Sequence, residues 1–174
     1  MPDSRHPSDC SRCQGLCCVY PAFDTSEMFG LDKPSGEACP HLGNSYRCTI
    51  HARLGPSGFR GCELYDCLGA GPRIIALPEF AGRSWRDDAP TATAMFSAFR
   101  ALKQVHELAE FLVTAGKLPL STEQRNQAAA LTAELDLDRD WSGQTLDAFE
   151  RSGPALRIRA FLVSLRDAAT RAHE

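Results

Sequence analysis

Residues 10–18 read CSRCQGLCC and residues 62–67 read CELYDC, with Cys39 and Cys48 between them. All eight cysteines of the 174-residue chain, Cys10, Cys13, Cys17, Cys18, Cys39, Cys48, Cys62 and Cys67, thus fall in its first part, and the rest contains none. A CxxC pair lets two thiolates from one tight turn reach the same ion at about 2.3 Å, and lone cysteines complete the shell. Eight thiolates would fill two closed four-cysteine zinc sites. An iron-sulfur cluster is the alternative, because such clusters take several ligands from a short run and the last from a remote cysteine. Neighbouring side chains diverge along the backbone, so Cys17 and Cys18 are expected to face different sites, or one of them to stand outside the ligand set. His41 and His51 follow Cys39 and Cys48 by two and three residues. Imidazole could replace a thiolate at either place. Otherwise they are hydrogen-bond donors behind the ligands or simply exposed.

The compartment argues for the same chemistry. The first residues, MPDSRHPSDC, contain no apolar run, and no stretch approaches the roughly 18 apolar residues of a membrane span. The expected location is the cytoplasm, where thiols stay reduced, which favours metal ligation over a disulfide framework. A formal net charge of −3 points neither to a polyanion nor to a membrane surface. The expected partners are a metal ion and a protein, not nucleic acid or membrane.

Residues 1–78 are rich in Cys, Gly and Pro without a sustained apolar period, which predicts a loop-rich module organised by ligation. Within it, Tyr46 to His51 has strand-like composition, and Ile74, Ile75 and Leu77 read as a buried connector. Residues 79–174 are helical in pattern. Met95, Phe96, Phe99, Leu102, Val105, Ala109, Leu112 and Val113 recur at helical spacing, predicting a helix over Pro90 to Ala115 with Gly116 as a left-handed cap. Ser121 and Gln124 form a capping-box pattern opening a second helix, with Ala128, Leu131 and Leu135 on one face. A third, over Thr145 to Arg151, ends at Gly153 and Pro154. A fourth carries Ile158, Phe161, Leu162, Leu165, Ala169 and Ala172, with Arg157, Arg159 and Arg166 on a solvated face. The expected fold class is mainly α: a cysteine-rich, loop-rich metal-binding N-terminal module followed by a bundle of about four helices.

Other motifs carry less. A dithiol-catalyst reading of Cys10 and Cys13 leaves six cysteines unexplained and has no preceding strand. His106-Glu107-x-x-Glu110 lacks the second histidine of a zincin helix and reads as a polar helix edge. Gly69-Ala70-Gly71 lacks the strand and third glycine of a dinucleotide fingerprint and reads as a turn. Asp87 and Asp88 precede the long helix, where negative charge favours its N-terminus.

The order CxxCxxxCC, then Cys39-Pro40-His41-Leu42, then Cys48-Thr49-Ile50-His51, then Cys62 to Cys67 resembles the YkgJ-type cysteine cluster family, a zinc- or iron-chelating domain. HARLGPSGFRGCELYDCLGAG and GRSWRDD are similar to the cysteine-rich module accompanying some bacterial pentapeptide-repeat proteins, although no five-residue periodicity follows here. His51 stands where tyrosine is usual, and ARLGPSGFRG is longer than the usual step before Cys62. The resemblance implies metal chelation by the eight cysteines, with zinc or iron as the cofactor and an interaction or regulatory role for the stabilised module. Because a flagellin lysine-N-methylase has been grouped with this pattern, the alternative it implies is an iron-sulfur enzyme of electron or group transfer. No catalytic constellation outside the cysteines is legible.

Overall fold

The computed structural model describes residues 7–135 and 139–166. Among the described residues there are seven α-helices: α1 (Leu16–Val19), α2 (Arg60–Leu64), α3 (Ala70–Ile75), α4 (Ala89–Ala115), α5 (Thr122–Leu135), α6 (Gly143–Ser152) and α7 (Pro154–Ser164). Single 3-10 turns occur at Cys10–Arg12, His51–Arg53 and Pro78–Phe80. Among the described residues there is no sheet, only isolated antiparallel bridges between Phe23 and Lys33 and between Leu42 and Cys48. The fold is mainly α, with a cysteine-rich N-terminal region. No helix among the described residues is long and apolar enough to cross a membrane.

The chain divides into two compact units, Met1–Phe99 and Arg100–Glu174, with the boundary inside α4. In the first unit α1 to α3 are short, because no apolar stripe runs long enough to sustain more turns. The core here is small: Leu16 and Val19 of α1, Ile74 of α3, and Met95, Ala98 and Phe99 from the start of α4 are buried. Tyr20 packs its ring on Phe96 and Phe99, at centroid distances of 5.9 and 6.1 Å. The strand expected over Tyr46 to His51 is instead a tight turn. Tyr46 adopts φ 61°, only Cys48 makes a bridge, and the chain then coils into the 3-10 turn, since no neighbouring strand is present to pair with. The expected connector around Ile74 is helix α3, with Ile74 fully buried.

Asp88 opens α4. Its carboxylate accepts from the Thr91 N–H at 2.7 Å and from the Thr91 hydroxyl at 2.9 Å, which holds its pKa below the usual value. Asp87 instead accepts from the Ser84 N–H at 2.7 Å, tightening the turn before the helix.

In the second unit the remainder of α4 buries Leu102, Val105, Leu108, Ala109 and Leu112. Val113, expected on that stripe, is exposed, because the 3.6-residue period carries it round from Leu112 to the solvent side. Gly116 is not left-handed either; its N–H simply continues the helical ladder to Leu112. His106 is a larger correction. It is 3% exposed, a core histidine and no part of a polar edge, while Glu107 pairs with Lys103 at the surface.

The Ser121–Gln124 capping box forms reciprocally, at 2.9 and 3.2 Å, and Leu131 and Leu135 are buried. Ser142 and Thr145 make a second box at the start of α6. Gly153 at φ 69° ends α6 and precedes Pro154, the first residue of α7. Helix α7 lies against α5 and α6, burying Ile158 and Phe161, while Arg157 reaches out to Glu134. Ala169 and Ala172 lie outside the described residues.

Candidate functional site

All eight cysteines line one cavity of about 390 Å³ in the first unit. None is paired in a disulfide; Cys10 is exposed and the other seven are half-buried. The short elements deliver them in turn. The Cys10–Arg12 turn is opened by Asp9, whose carboxylate accepts from the Ser11 N–H at 2.8 Å. Gly15, at φ 67°, reverses the chain into α1 and presents Cys17 and Cys18. The N–H of Cys39 donates to the Cys18 carbonyl at 2.9 Å, and the Leu42–Cys48 bridge closes the loop carrying Cys39 and Cys48. Helix α2 carries Cys62, and Cys67 leads directly into α3.

Packing against the sulfurs is tight. A Cβ placed on Gly71 would lie 2.6 Å from Cys13 Sγ and 3.8 Å from Cys67 Sγ, so only glycine fits beneath these two thiols. Gly61, next to Cys62, is covered by the Phe29 ring in the same way, with a would-be Cβ 2.3 Å from Phe29 Cζ. The Ser8 hydroxyl sits 3.0 Å from Cys67 Sγ and also binds the Asp66 carboxylate.

The sulfurs act on one another's thiols across the cavity. Cys10, Cys13 and Cys17 each respond to charge on Cys67, and Cys13 also to Cys10 and Cys17 to Cys13. Cys39, Cys48 and Cys62 each respond to Cys18, and Cys62 to Cys39 and Cys48 as well. The sulfurs of the adjacent pair, Cys17 and Cys18, are 4.0 Å apart, and Cys10 also responds to Cys18. Burial raises the thiols of Cys10, Cys13, Cys39 and Cys48, and pushes Cys62 up to about 11. Within the pair, the neighbouring Cys18 thiol and burial push Cys17 up, whereas the Cys17 thiol and the nearby Lys33 lower Cys18.

Backbone amides oppose the burial effect. The N–H groups of Gly15 and Leu16 point at Cys13, that of His41 at Cys39, and that of Ile50 at Cys48. Amides aimed at sulfur stabilise the thiolate, the form a metal requires.

Among the described residues, no three His, Cys, Asp or Glu side chains converge closely enough to close on an ion. The sulfurs stand round the cavity wall without meeting at a point. The donor set nonetheless fits zinc or iron: eight soft sulfur ligands round one cavity, with amides directed at three of them. His41 and His51 also line the cavity, His41 edge-on to the Phe59 ring at 5.1 Å and His51 exposed.

Two features of the site were not anticipated from the sequence. Lys33, between Cys18 and Cys39 in the sequence, is almost fully buried. The segment around Trp85 clamps the cysteine loops: Trp85 Nε1 donates to the Gln14 carbonyl at 2.9 Å, and Arg86 donates to the Asn44 and Gly43 carbonyls at 2.9 and 3.2 Å. The Arg86 guanidinium also lies 4.3 Å from the Tyr46 ring and 4.9 Å from the Trp85 ring. Both residues stand in GRSWRDD, but their clamping role follows only from the folded positions of Gln14, Gly43, Asn44 and Tyr46.

Among known proteins, the chain is similar to an uncharacterized protein, YybG, of Bacillus subtilis (strain 168), at 40% identity over 105 residues. The match covers 60% of this chain and 37% of that relative, so the chain spans well under half of the relative's length. No family model and no solved structure matches.

Proposed function

We propose that the chain is a thiolate metal-binding protein whose cysteine-rich unit is held together by zinc or iron and serves as an interaction or regulatory module. The observation that carries this reading is that all eight cysteines, scattered over nearly sixty residues, line a single cavity. Cysteines from four separate segments, facing one cavity, form the arrangement that joint ligation requires. The resemblance of the cysteine order to the YkgJ-type zinc- or iron-chelating proteins supports the same reading.

Cys10, Cys13, Cys17 and Cys67 would hold one ion, and Cys18, Cys39, Cys48 and Cys62 the other. Bound there, a closed four-thiolate zinc site contributes folding energy, and iron in its place would add electron transfer. The chain's own residues prepare the sites. Gly71 leaves room for the Cys13 sulfur, the amides of Gly15, Leu16, His41 and Ile50 favour thiolate at Cys13, Cys39 and Cys48, and the Trp85–Arg86 clamp fixes the loops between ligands.

Metal analysis of protein purified without oxygen tests this. The expected result is about two metal ions per chain, colourless if zinc and brown if an iron-sulfur centre. Metal-free protein that keeps eight titratable thiols and a fully ordered N-terminal unit would overturn it.

A further inference from the structure

Lys33 is 4% exposed, and a buried ammonium demands compensation. Its Nζ donates to the carbonyls of Val19 at 2.9 Å, Pro34 at 3.0 Å and Glu37 at 2.9 Å. Those carbonyls solvate the charge but cannot neutralise it. Among the described residues Lys33 makes no ion pair with a carboxylate. Glu37 reaches it through its backbone oxygen, and the face of Phe23 lies 5.2 Å from the ammonium.

The positions of the acceptors are informative. Val19 follows Cys18 directly, and Glu37 lies two residues before Cys39, whose N–H in turn binds the Cys18 carbonyl. Lys33 therefore bolts together the two segments that present Cys18 and Cys39. Burial holds the Lys33 pKa below the usual lysine value, and the charges that oppose this are, in order, those of Cys39, Cys18, Glu37 and Cys62. The other set of four has a different neighbour. Arg47 acts on Cys10 from an exposed position, donating to the Ser11 carbonyl at 2.7 Å, where water weakens its effect.

We infer that Lys33 is the buried counter-charge of the metal site formed by Cys18, Cys39, Cys48 and Cys62, making that site the tighter and less solvent-sensitive of the two. The inference rests on the metal-binding reading above. Four thiolates around a divalent ion leave a net double negative charge, which is costly in a desolvated wall. One ammonium behind the sulfurs halves it. In the set containing Cys67 the cation that acts on a thiol is the exposed Arg47, and that set should exchange its metal more readily. Lys33 is thus a positioning and charge-setting residue, and it touches the metal only through its ligands.

The test uses the full chain loaded with cadmium-113 and followed by cadmium resonance while a chelator competes. Wild-type protein should show two sulfur-ligated resonances, one abolished by Cys48→Ser and the other by Cys67→Ser. The chelator should remove the Cys67-dependent resonance first; the reverse order overturns the inference without any change at Lys33. Lys33→Gln should then weaken the Cys48-dependent site by about 10- to 100-fold and leave the other unchanged. Equal loss at both sites, or at neither, contradicts it. A charge role is separated from simple bracing by repeating Lys33→Gln in a Cys39→His background, where the site carries one negative charge fewer. There the penalty should shrink by about tenfold, whereas bracing would cost the same in both backgrounds. Wild-type protein that takes up no cadmium would refute the metal-binding reading itself, an outcome distinct from two bound ions released in the wrong order.

Discussion

The two units of this chain reach order by different means. Among the described residues, the unit up to Phe99 buries ten apolar side chains, and the shorter unit from Arg100 buries sixteen. The second unit can therefore hold itself together by an ordinary core. The first has little apolar area per residue, helices of four to six residues before α4, and eight thiols around a cavity. A region built this way needs something to fill its centre, much as small metal-stabilised domains do. On the metal-binding reading, the difference teaches that the cysteines serve as structural members of the unit that carries them, and it predicts that the helices after Phe99 depend on them less.

The largest effect expected from this contrast is metal removal. Stripping the protein with a chelator under reducing conditions should abolish the near-ultraviolet dichroism of Trp85 and Tyr46 while most far-ultraviolet helical signal persists. Helicity lost in step with the metal would show that the second unit leans on the first.

Next in size are core truncations. Phe99 and Phe161 are 1% and 2% exposed, so Phe99→Ala and Phe161→Ala should each cost about 3 to 5 kcal/mol in denaturant titrations. The comparison is sharpened by where the damage appears: Phe161→Ala should leave metal content untouched, whereas Phe99→Ala, in the cysteine unit, should lower it.

Gly71→Ala makes an intermediate case. In a helix interior alanine is favoured over glycine by about 1 kcal/mol, but here its Cβ would meet Cys13 Sγ at 2.6 Å. Overpacking of about 1 to 3 kcal/mol should win, read as weaker metal binding with an unchanged second unit. A stabilised, fully loaded variant would mean that the Cys13 sulfur moves freely.

The smallest effects are at helix starts. Ser142→Ala removes one half of the α6 capping box and should cost about 1 kcal/mol. Asp88 has a lowered pKa because it accepts from Thr91, so its contribution is present above the ordinary value of 3.8 and lost as pH falls through its lower folded value. Asp88→Asn should lower the melting temperature slightly in the neutral region and leave the acid end, where the carboxylate is already protonated, nearly unchanged, which flattens the acid limb.

Much of this division was legible in the sequence, and for physical reasons. The apolar recurrence from Met95 to Leu112 predicted α4 to within a residue at its start, because a long amphipathic stripe has one good solution. The Ser121–Gln124 box was legible because capping is local chemistry. Local rules failed where tertiary contacts decide. Tyr46 to His51 has strand composition but no partner strand. His106 looks polar yet is enclosed by its neighbours. Lys33 carried no signal at all, since lysine in a loop is ordinarily solvated, and its burial follows only from the meeting of the Cys18 and Cys39 segments. The eight cysteines stood out by type and spacing, but that all of them line one cavity emerges only once the loops are folded.

The division of that cavity at the Cys17–Cys18 step, and the filling of each half by metal, is the central claim. Native mass spectrometry of the intact chain and of its Cys17→Ser and Cys18→Ser variants tests it most directly. The account predicts about two metal ions on the wild type and about one on each single variant, the Cys17 variant keeping the ion that depends on Cys48 and the Cys18 variant keeping the one that depends on Cys67. A wild type without metal, or single variants that both retain the full complement, would contradict it.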